Sequence, residues 1–240
     1  MKYIFNKLMS KFDRKVFSRL LKKIDSLSLT NLDEKRRNYI FNYHRNDYKF
    51  DKNQIAFIHV PKTGGASIRE HLEKNLKNFY VFTKKSEHNP VSLLCPPNDY
   101  KYVTFLREPT HRVYSYYNML KNNDFVPGHH LAKKSLVDLL INSFQAKNLY
   151  CQYFSGLPFE NVNDEIYNLA ISNLKNFYFV GKFEEFHNSF IQLSEKLNLE
   201  NKEFIHINQN KYKPISEDQK KLIESYNSYD IKLYNEFFKK

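Results

Sequence analysis

Two short segments of the sequence combine turn-forming residues with residues that bind phosphate. The first is FIHVPKTGGASIREHL, residues 57 to 72, in which two of the chain's five glycines, Gly64 and Gly65, are adjacent. Glycines between an apolar run and a helical run let the backbone turn close to a ligand, and the first amides of the helix then point at one anion. The segment therefore predicts an anion-binding loop. The alternative is an ordinary strand-to-helix turn.

The lysine of this loop comes before the glycines. In the phosphate loop of nucleoside triphosphatases the lysine follows the glycines, at the end of a longer loop, and reaches the β- and γ-phosphates. Lys62 instead lies at the mouth of a short loop, where it is better placed to meet a single bridging oxygen. Thr63 and Ser67 add hydroxyl donors to the amides of residues 64 to 67.

The second segment is FLREPTHRVYS, residues 105 to 115. Arg107 ends an apolar run, and Ser115 lies early in the helix that follows. A strand-end arginine and a hydroxyl on the first turns of the next helix can hold one phosphate together. The alternative is a surface ion pair beside a solvated serine.

Strands and helices alternate on both sides of these segments. Apolar runs predict four strands, at residues 55 to 60, 79 to 83, 100 to 107 and 177 to 181. Helices are predicted at residues 66 to 78, from Pro109 onward, and at residues 135 to 145, 162 to 175 and 183 to 199. One last helix is predicted to begin with a capping box at residues 216 to 219. Residues 122 to 134 are predicted as loop. This order is typical of an α/β protein whose central parallel sheet has helices on both faces. Ligands bind at the carboxyl ends of such strands, where both segments fall.

The composition indicates a soluble globular chain. Its 240 residues can bury a core, and they divide into a helical N-terminal extension, residues 1 to 53, and a main domain, residues 54 to 240. The extension is basic and amphipathic, which favours packing on the domain, with weak association with an anionic membrane as the alternative. Cys95 and Cys151 show neither metal nor disulfide spacing, and no apolar run reaches the roughly 18 residues of a membrane span. These features predict a cytoplasmic protein.

The formal net charge of +12 has two readings. It reflects either a coding bias that favours lysine or an anionic ligand. The lysines are spread along the whole chain instead of clustering in one segment, so a nucleic-acid partner is not expected.

Together, the two segments resemble the sulfotransferases that use 3′-phosphoadenosine 5′-phosphosulfate, in the branch with heparan and chondroitin sulfotransferases and many bacterial relatives. The likeness covers about residues 54 to 238. Four later stretches fit the same order: CQYFSG (151 to 156), FVGKFEEF (179 to 186), HINQNKYK (206 to 213) and YDIKLYNEF (229 to 237). The resemblance implies a P-loop-like nucleotide-binding sulfotransferase fold for residues 54 to 240.

The resemblance also implies which residues bind the donor. The loop for its 5′-phosphosulfate comprises Lys62, Thr63, Gly64, Gly65, Ala66 and Ser67. The 3′-phosphate falls to Arg107 and Ser115, and a further nucleotide contact falls to Lys211. No metal ion is implied.

The implied reaction moves a sulfuryl group from the donor to an acceptor hydroxyl or amine, with a glycan or glycolipid as the favoured acceptor. Lys62 would neutralise the leaving phosphate oxygen, and His88 would be the general base, with Glu87 and His59 as alternatives. Two other functions stay open on the residues alone. One is a nucleotide-dependent phosphotransferase with an atypical phosphate loop, and the other is a non-catalytic basic module that binds polyanions.

Overall fold

The computed structural model describes residues 55–76, 79–81, 101–126, 128–156, 161–199 and 214–238. The predicted extension, residues 1 to 53, lies outside the described residues. Within the described ranges, no helix combines the length and the apolar character that crossing a membrane requires.

Four short strands form one parallel sheet. They are β1 (Ile55–Ile58), β2 (Phe79–Val81), β3 (Lys101–Leu106) and β4 (Phe179–Lys182). Their order across the sheet is β2-β1-β3-β4, and every neighbouring pair is parallel. The direction of winding reverses between β1 and β3, because the chain first moves outward to β2 and then to the opposite side of β1. Open parallel sheets bind ligands beyond the carboxyl ends of the strands at such a reversal.

Most of the described residues lie in α-helices. They are α1 (Gly65–Asn75), α2 (Pro109–Lys121), α3 (His129–Lys134), α4 (Leu136–Asn142), α5 (Leu149–Ser155), α6 (Asp164–Lys175), α7 (Phe186–Lys196), α8 (Glu217–Tyr226) and α9 (Ser228–Phe238). Short 3-10 turns, Phe144–Ala146 and Phe183–Glu185, precede α5 and α7.

Helices cover both faces of the sheet because alternate strand residues point to opposite sides. Ala56 and Leu106 point into a core formed with α5, α6 and α9. Phe57 and Phe105 point into a second core formed with α1 and α7. Each of these four side chains is fully buried, so the sheet has no solvent face at β1 and β3. The predicted α/β class is confirmed.

A third core lies among helices alone. Val113 and Leu120 of α2 pack there with Leu139 of α4 and Ile223 of α8. Part of this layer was not expected, because residues 122 to 134 were predicted as loop and contain α3. Gly128 starts α3 in a left-handed conformation, and only Ala132 of this short helix is buried, so the sequence carries almost no helical pattern.

The prediction of one last helix is also wrong, because the chain forms α8 and α9. The capping box at Ser216 and Gln219 opens α8 as predicted. The break lies at Asn227, whose buried side-chain amide donates to the carbonyls of Ala146, at 2.9 Å, and Ile223, at 3.0 Å. This tertiary contact separates two segments that share one apolar pattern in the sequence.

Close packing at β4 gives a stability prediction. A Cβ atom at Gly181 would lie 2.4 Å from Cε1 and 2.5 Å from Cδ1 of the buried Phe105 ring. We expect Gly181→Ala to lower the free energy of unfolding by about 1–3 kcal/mol, measured by urea denaturation, because the ring has no free space to move into. Combining it with Phe105→Leu should cost less than the sum of the two single changes. Simple additivity would contradict the proposed clash.

Candidate functional site

The loop between β1 and α1 turns sharply at two residues. Lys62 has a φ of 70° and Gly64 a φ of 79°, both in the left-handed region. Glycine adopts this region freely, whereas lysine is strained there, so the surrounding contacts must hold Lys62 in place. Thr63 between them is fully buried, and its hydroxyl donates to the carbonyl of Val60 at 2.9 Å. The sequence predicted that the Thr63 hydroxyl donates to the ligand. In this structure it donates to the Val60 carbonyl instead and closes the loop.

The first backbone amides of α1 have no side-chain cap. Its N-cap residue is Gly64, which has no side chain to accept from them. The amides of Ser67 and Ile68 donate to the Gly64 carbonyl, at 3.1 and 3.3 Å. The amides of Gly65 and Ala66 make no hydrogen bond to any described residue. Together with the helix dipole, two such amides favour a nearby anion.

Neighbouring side chains allow only glycine at the two loop positions. A Cβ atom at Gly65 would lie 1.9 Å from Cδ2 of His59, whose half-buried ring rests against the loop. A Cβ atom at Gly64 would lie 2.7 Å from Cε2 of Phe186 and 3.0 Å from Cε2 of Phe183. The loop is therefore packed from two sides, which fixes the path of its backbone.

Arg107 brings the second predicted segment to this loop. It follows β3, which pairs directly with β1. Its Nη1 donates to the carbonyl of Lys62 at 3.5 Å, and its guanidinium lies 4.6 Å from the ring centroid of Phe183. The two segments, far apart in sequence, thus meet at the reversal point of the sheet.

The electrostatics at this meeting point favour an anion. Partial burial lowers the pKa of the Lys62 ammonium from its ordinary 10.5, and the nearby Arg107 guanidinium lowers it further. Two like charges in one partly buried place destabilise each other, and a bound anion would relieve both effects. The arrangement suits a ligand with more than one negative charge.

The N-terminus of α2 differs from that of α1 because its amides are already used. The Glu108 carboxylate accepts from the amides of Thr110, at 3.1 Å, and His111, at 2.8 Å. The amide of Glu108 itself donates to Oε1 of Glu184 at 2.8 Å. Protein carboxylates occupy these donors, so the α2 end of the site can offer an anion the Arg107 side chain but not these three amides.

Ser115, Ser67 and Lys211 are the remaining residues predicted to bind the donor. Ser115 is the seventh residue of α2 and is almost fully buried. No hydrogen bond within the described part of the chain joins it to Arg107 or Lys62. Ser67 is buried in the first turn of α1. Lys211 lies outside the described residues, as do His88 and Glu87, so their roles stay predictions.

Several residues at the site were not singled out from the sequence. Phe183 and Glu184 lie in the 3-10 turn after β4, at the same edge of the sheet, where Phe183 contacts both Gly64 and Arg107. Tyr150 of α5 hydrogen-bonds to the backbone of Arg107. In the sequence, Phe183 and Glu184 lie within FVGKFEEF, and Tyr150 directly precedes CQYFSG. These positions were the only sequence signal for the three residues, because no local pattern specifies a contact with Arg107.

The described ranges contain no group of three or more His, Cys, Asp or Glu side chains arranged to hold a metal ion. Comparison with protein-family models gives no match, and comparison with curated proteins gives none either. What can be said of function therefore rests on the residues and their geometry.

The lowered pKa of Lys62 gives a pH-dependence prediction. Sulfate favours the protonated lysine, so its binding requires proton uptake once the pH exceeds this lowered pKa. We therefore expect the affinity for sulfate to fall, by at most about tenfold per pH unit, as the pH rises through the pKa of Lys62. Calorimetric titration with sulfate between about pH 7 and 10 measures this, because the sulfate charge is constant there.

Lys62→Arg should remove the alkaline loss of affinity, because arginine stays protonated throughout that range. The matched control is Lys74→Arg, which changes an exposed lysine of α1 that pairs with Glu70 at 2.8 Å. An alkaline loss that persists in Lys62→Arg would assign the titration to another group.

Proposed function

We propose that this chain is a sulfotransferase that moves a sulfuryl group from 3′-phosphoadenosine 5′-phosphosulfate to an acceptor hydroxyl or amine, on a P-loop-like sulfotransferase fold. The observation that carries the proposal is the 3.5 Å hydrogen bond between Arg107 and the Lys62 carbonyl, which joins the two segments predicted to bind anions. A donor with phosphates at both its 5′ and 3′ positions needs two cationic groups on neighbouring strand ends. The order of the strands supplies that placement.

The short loop favours this donor over a nucleoside triphosphate. Gly65 and Ala66 offer two uncapped amides, enough for one phosphate group, whereas a triphosphate is wrapped by a longer glycine-rich loop. Lys62 precedes these amides and lies at the mouth of the loop. A cation in that position suits the oxygen that bridges the 5′-phosphate and the sulfuryl group.

In the proposed reaction, the bond between sulfur and the bridging oxygen breaks while a bond to the acceptor oxygen or nitrogen forms. Lys62 stabilises the negative charge that develops on the bridging oxygen. Arg107, with Ser115, holds the 3′-phosphate. The acceptor proton passes to a general base, for which His88 is proposed, with Glu87 and His59 as alternatives. As in phosphoryl transfer, positioning and charge stabilisation do most of the work.

The acceptor is proposed to be a glycan or glycolipid, and a cytoplasmic location is proposed from the sparse, unpatterned cysteines. Cys151 is a free, buried thiol. The rival polyanion-binding module would show a steep salt dependence without preference among nucleotides. Nucleotide selectivity therefore separates the two functions.

We expect 3′-phosphoadenosine 5′-phosphate to stabilise the chain far more than AMP, because only the former carries the phosphate assigned to Arg107. At a hundredfold excess over its dissociation constant, the stabilisation is about 2.7 kcal/mol. Thermal unfolding with each nucleotide measures the difference. No response to the bisphosphate would overturn the proposed function.

Variants of Arg107 assign the selectivity to one residue. Arg107→Ala should bind the two nucleotides alike, and Arg107→Lys should recover the preference only in part, because lysine lacks the bidentate fork. Lys121→Ala, on an exposed residue of the last turn of α2, is the control and should keep the preference. Equal shifts with both nucleotides in the unaltered chain would remove Arg107 from the 3′-phosphate site.

Lys62→Ala should lower turnover by about a hundredfold while weakening nucleotide binding much less, because its charge acts most strongly as the phosphate leaves. Release of the bisphosphate from the donor, with an oligosaccharide panel as acceptors, measures turnover, and calorimetry measures binding. Lys74→Ala, at an exposed residue in the last turn of α1, is the control. A parallel fall of both quantities would make Lys62 an anchor for the nucleotide only.

A further inference from the structure

The hydroxyl of Tyr150 bonds to both backbone polar groups of Arg107. Its oxygen accepts from the Arg107 amide at 2.9 Å and donates to the Arg107 carbonyl at 2.6 Å. Tyr150 is fully buried and Arg107 is partly buried, so water has limited access to both bonds. Arg107 is the first residue after β3. The Tyr150 hydroxyl therefore holds the backbone of Arg107 at the end of the strand. This contact sets the direction in which the Arg107 side chain leaves the sheet.

Tyr150 is itself held by the C-terminal helix α9. The Asp230 carboxylate accepts from the amides of Tyr150 and Cys151, both at 2.9 Å. These amides belong to the first turn of α5, whose N-cap residue Asn148 gives no side-chain cap. Asp230 is fully buried and replaces that cap from another helix. Its own amide donates to Oδ1 of Asn148 at 3.1 Å, so the two helix ends bind each other reciprocally.

A second path runs from the same helix to the next residue of the site. Tyr234, one turn beyond Asp230 on α9, donates its hydroxyl to Oε2 of Glu184 at 2.6 Å. The other oxygen of Glu184 accepts from the Glu108 amide at 2.8 Å. One helix thus fixes the backbone of two successive residues at the end of β3 by separate routes.

We propose that Tyr150, fixed by Asp230, is a positioning residue for Arg107, and that discrimination in favour of a 3′-phosphate depends on its hydroxyl. The inference rests on the proposed function. Recognition of a phosphate by an arginine fork requires the guanidinium to be placed within about 0.5 Å. A backbone free to rotate at residue 107 would move the guanidinium by more than that.

Tyr150→Phe removes the hydroxyl and keeps the ring, which packs under the Arg112 guanidinium at 5.5 Å. We expect its affinity for 3′-phosphoadenosine 5′-phosphate to fall about tenfold and its affinity for AMP to stay within about twofold, as measured by calorimetry. Tyr153→Phe is the matched control, because Tyr153 is equally buried on the same helix while the Arg107 bonds belong to Tyr150. It should keep the full preference.

A merely structural role makes a different prediction. It would lower the unfolding temperature of Tyr150→Phe while leaving the ratio of the two affinities unchanged, and that outcome would overturn the proposal. If Tyr150→Phe does not fold, Asp230→Asn is measured in its place, because one carboxylate oxygen becomes an amide that cannot accept from α5. It should shift the ratio in the same direction, and an unchanged ratio would again overturn the proposal.

Amide hydrogen exchange separates this inference from the proposed function. In Tyr150→Phe the Arg107 amide loses its acceptor and should exchange about tenfold faster or more, while the Glu108 amide, bonded to Glu184, keeps its rate. Unchanged exchange at Arg107 would overturn the positioning role. An unaltered chain that does not respond to 3′-phosphoadenosine 5′-phosphate would instead overturn the proposed function. The exchange rates of Tyr150→Phe would still test the hydrogen bonds of Tyr150.

Discussion

The parallel pairing of β1 with β3 is the constraint on which the site depends. Ile58 lies opposite Thr104 in this register, and the buried Thr104 hydroxyl donates to the Ile58 carbonyl at 2.9 Å, which reinforces the pair where the strands end. Lys62 and Arg107 leave the sheet a few residues later. A shift of register would separate them by the spacing of whole residues, about 3.3 Å each, and would break their contact.

Bringing two cations together is unfavourable in the absence of a ligand. The lowered pKa of Lys62 reflects an unfavourable environment for its charge. Burial is the larger cause of the shift, and the positive charge of Arg107 is the smaller one. The fold keeps the arrangement because contacts outside the loop hold each partner, including the Phe183 ring beneath the Arg107 guanidinium. The uncapped amides of α1 add to the same field, whereas protein carboxylates use those of α2. The proposed anion site therefore has backbone donors at the start of α1, whereas the donors at the start of α2 are already bonded to carboxylates.

The support for this arrangement comes from the far end of the chain. Asp230 and Tyr234 of α9 reach Arg107 and Glu108 through Tyr150 and Glu184. The bonds of Asp230 with Tyr150 and of Tyr150 with Arg107 are buried or partly buried, whereas Glu184 is exposed. Buried hydrogen bonds are costly to leave unmade, so the path through Tyr150 holds the Arg107 backbone in one position more firmly than solvated bonds would.

The sequence by itself determined the features that depend on neighbours along the chain. The glycine pair, the alternation of strands and helices and the capping box at Ser216 are local, because turn conformation, amphipathic period and capping act within a few residues. The helix α3, the break at Asn227 and the contacts of Tyr150 and Glu184 were decided only by tertiary structure. Tyr150 meets Arg107 across 43 positions, and Glu184 meets Glu108 across 76. Such pairings depend on how the layers pack, and an aromatic or acidic residue carries no local sign of the distant backbone group that it will bind.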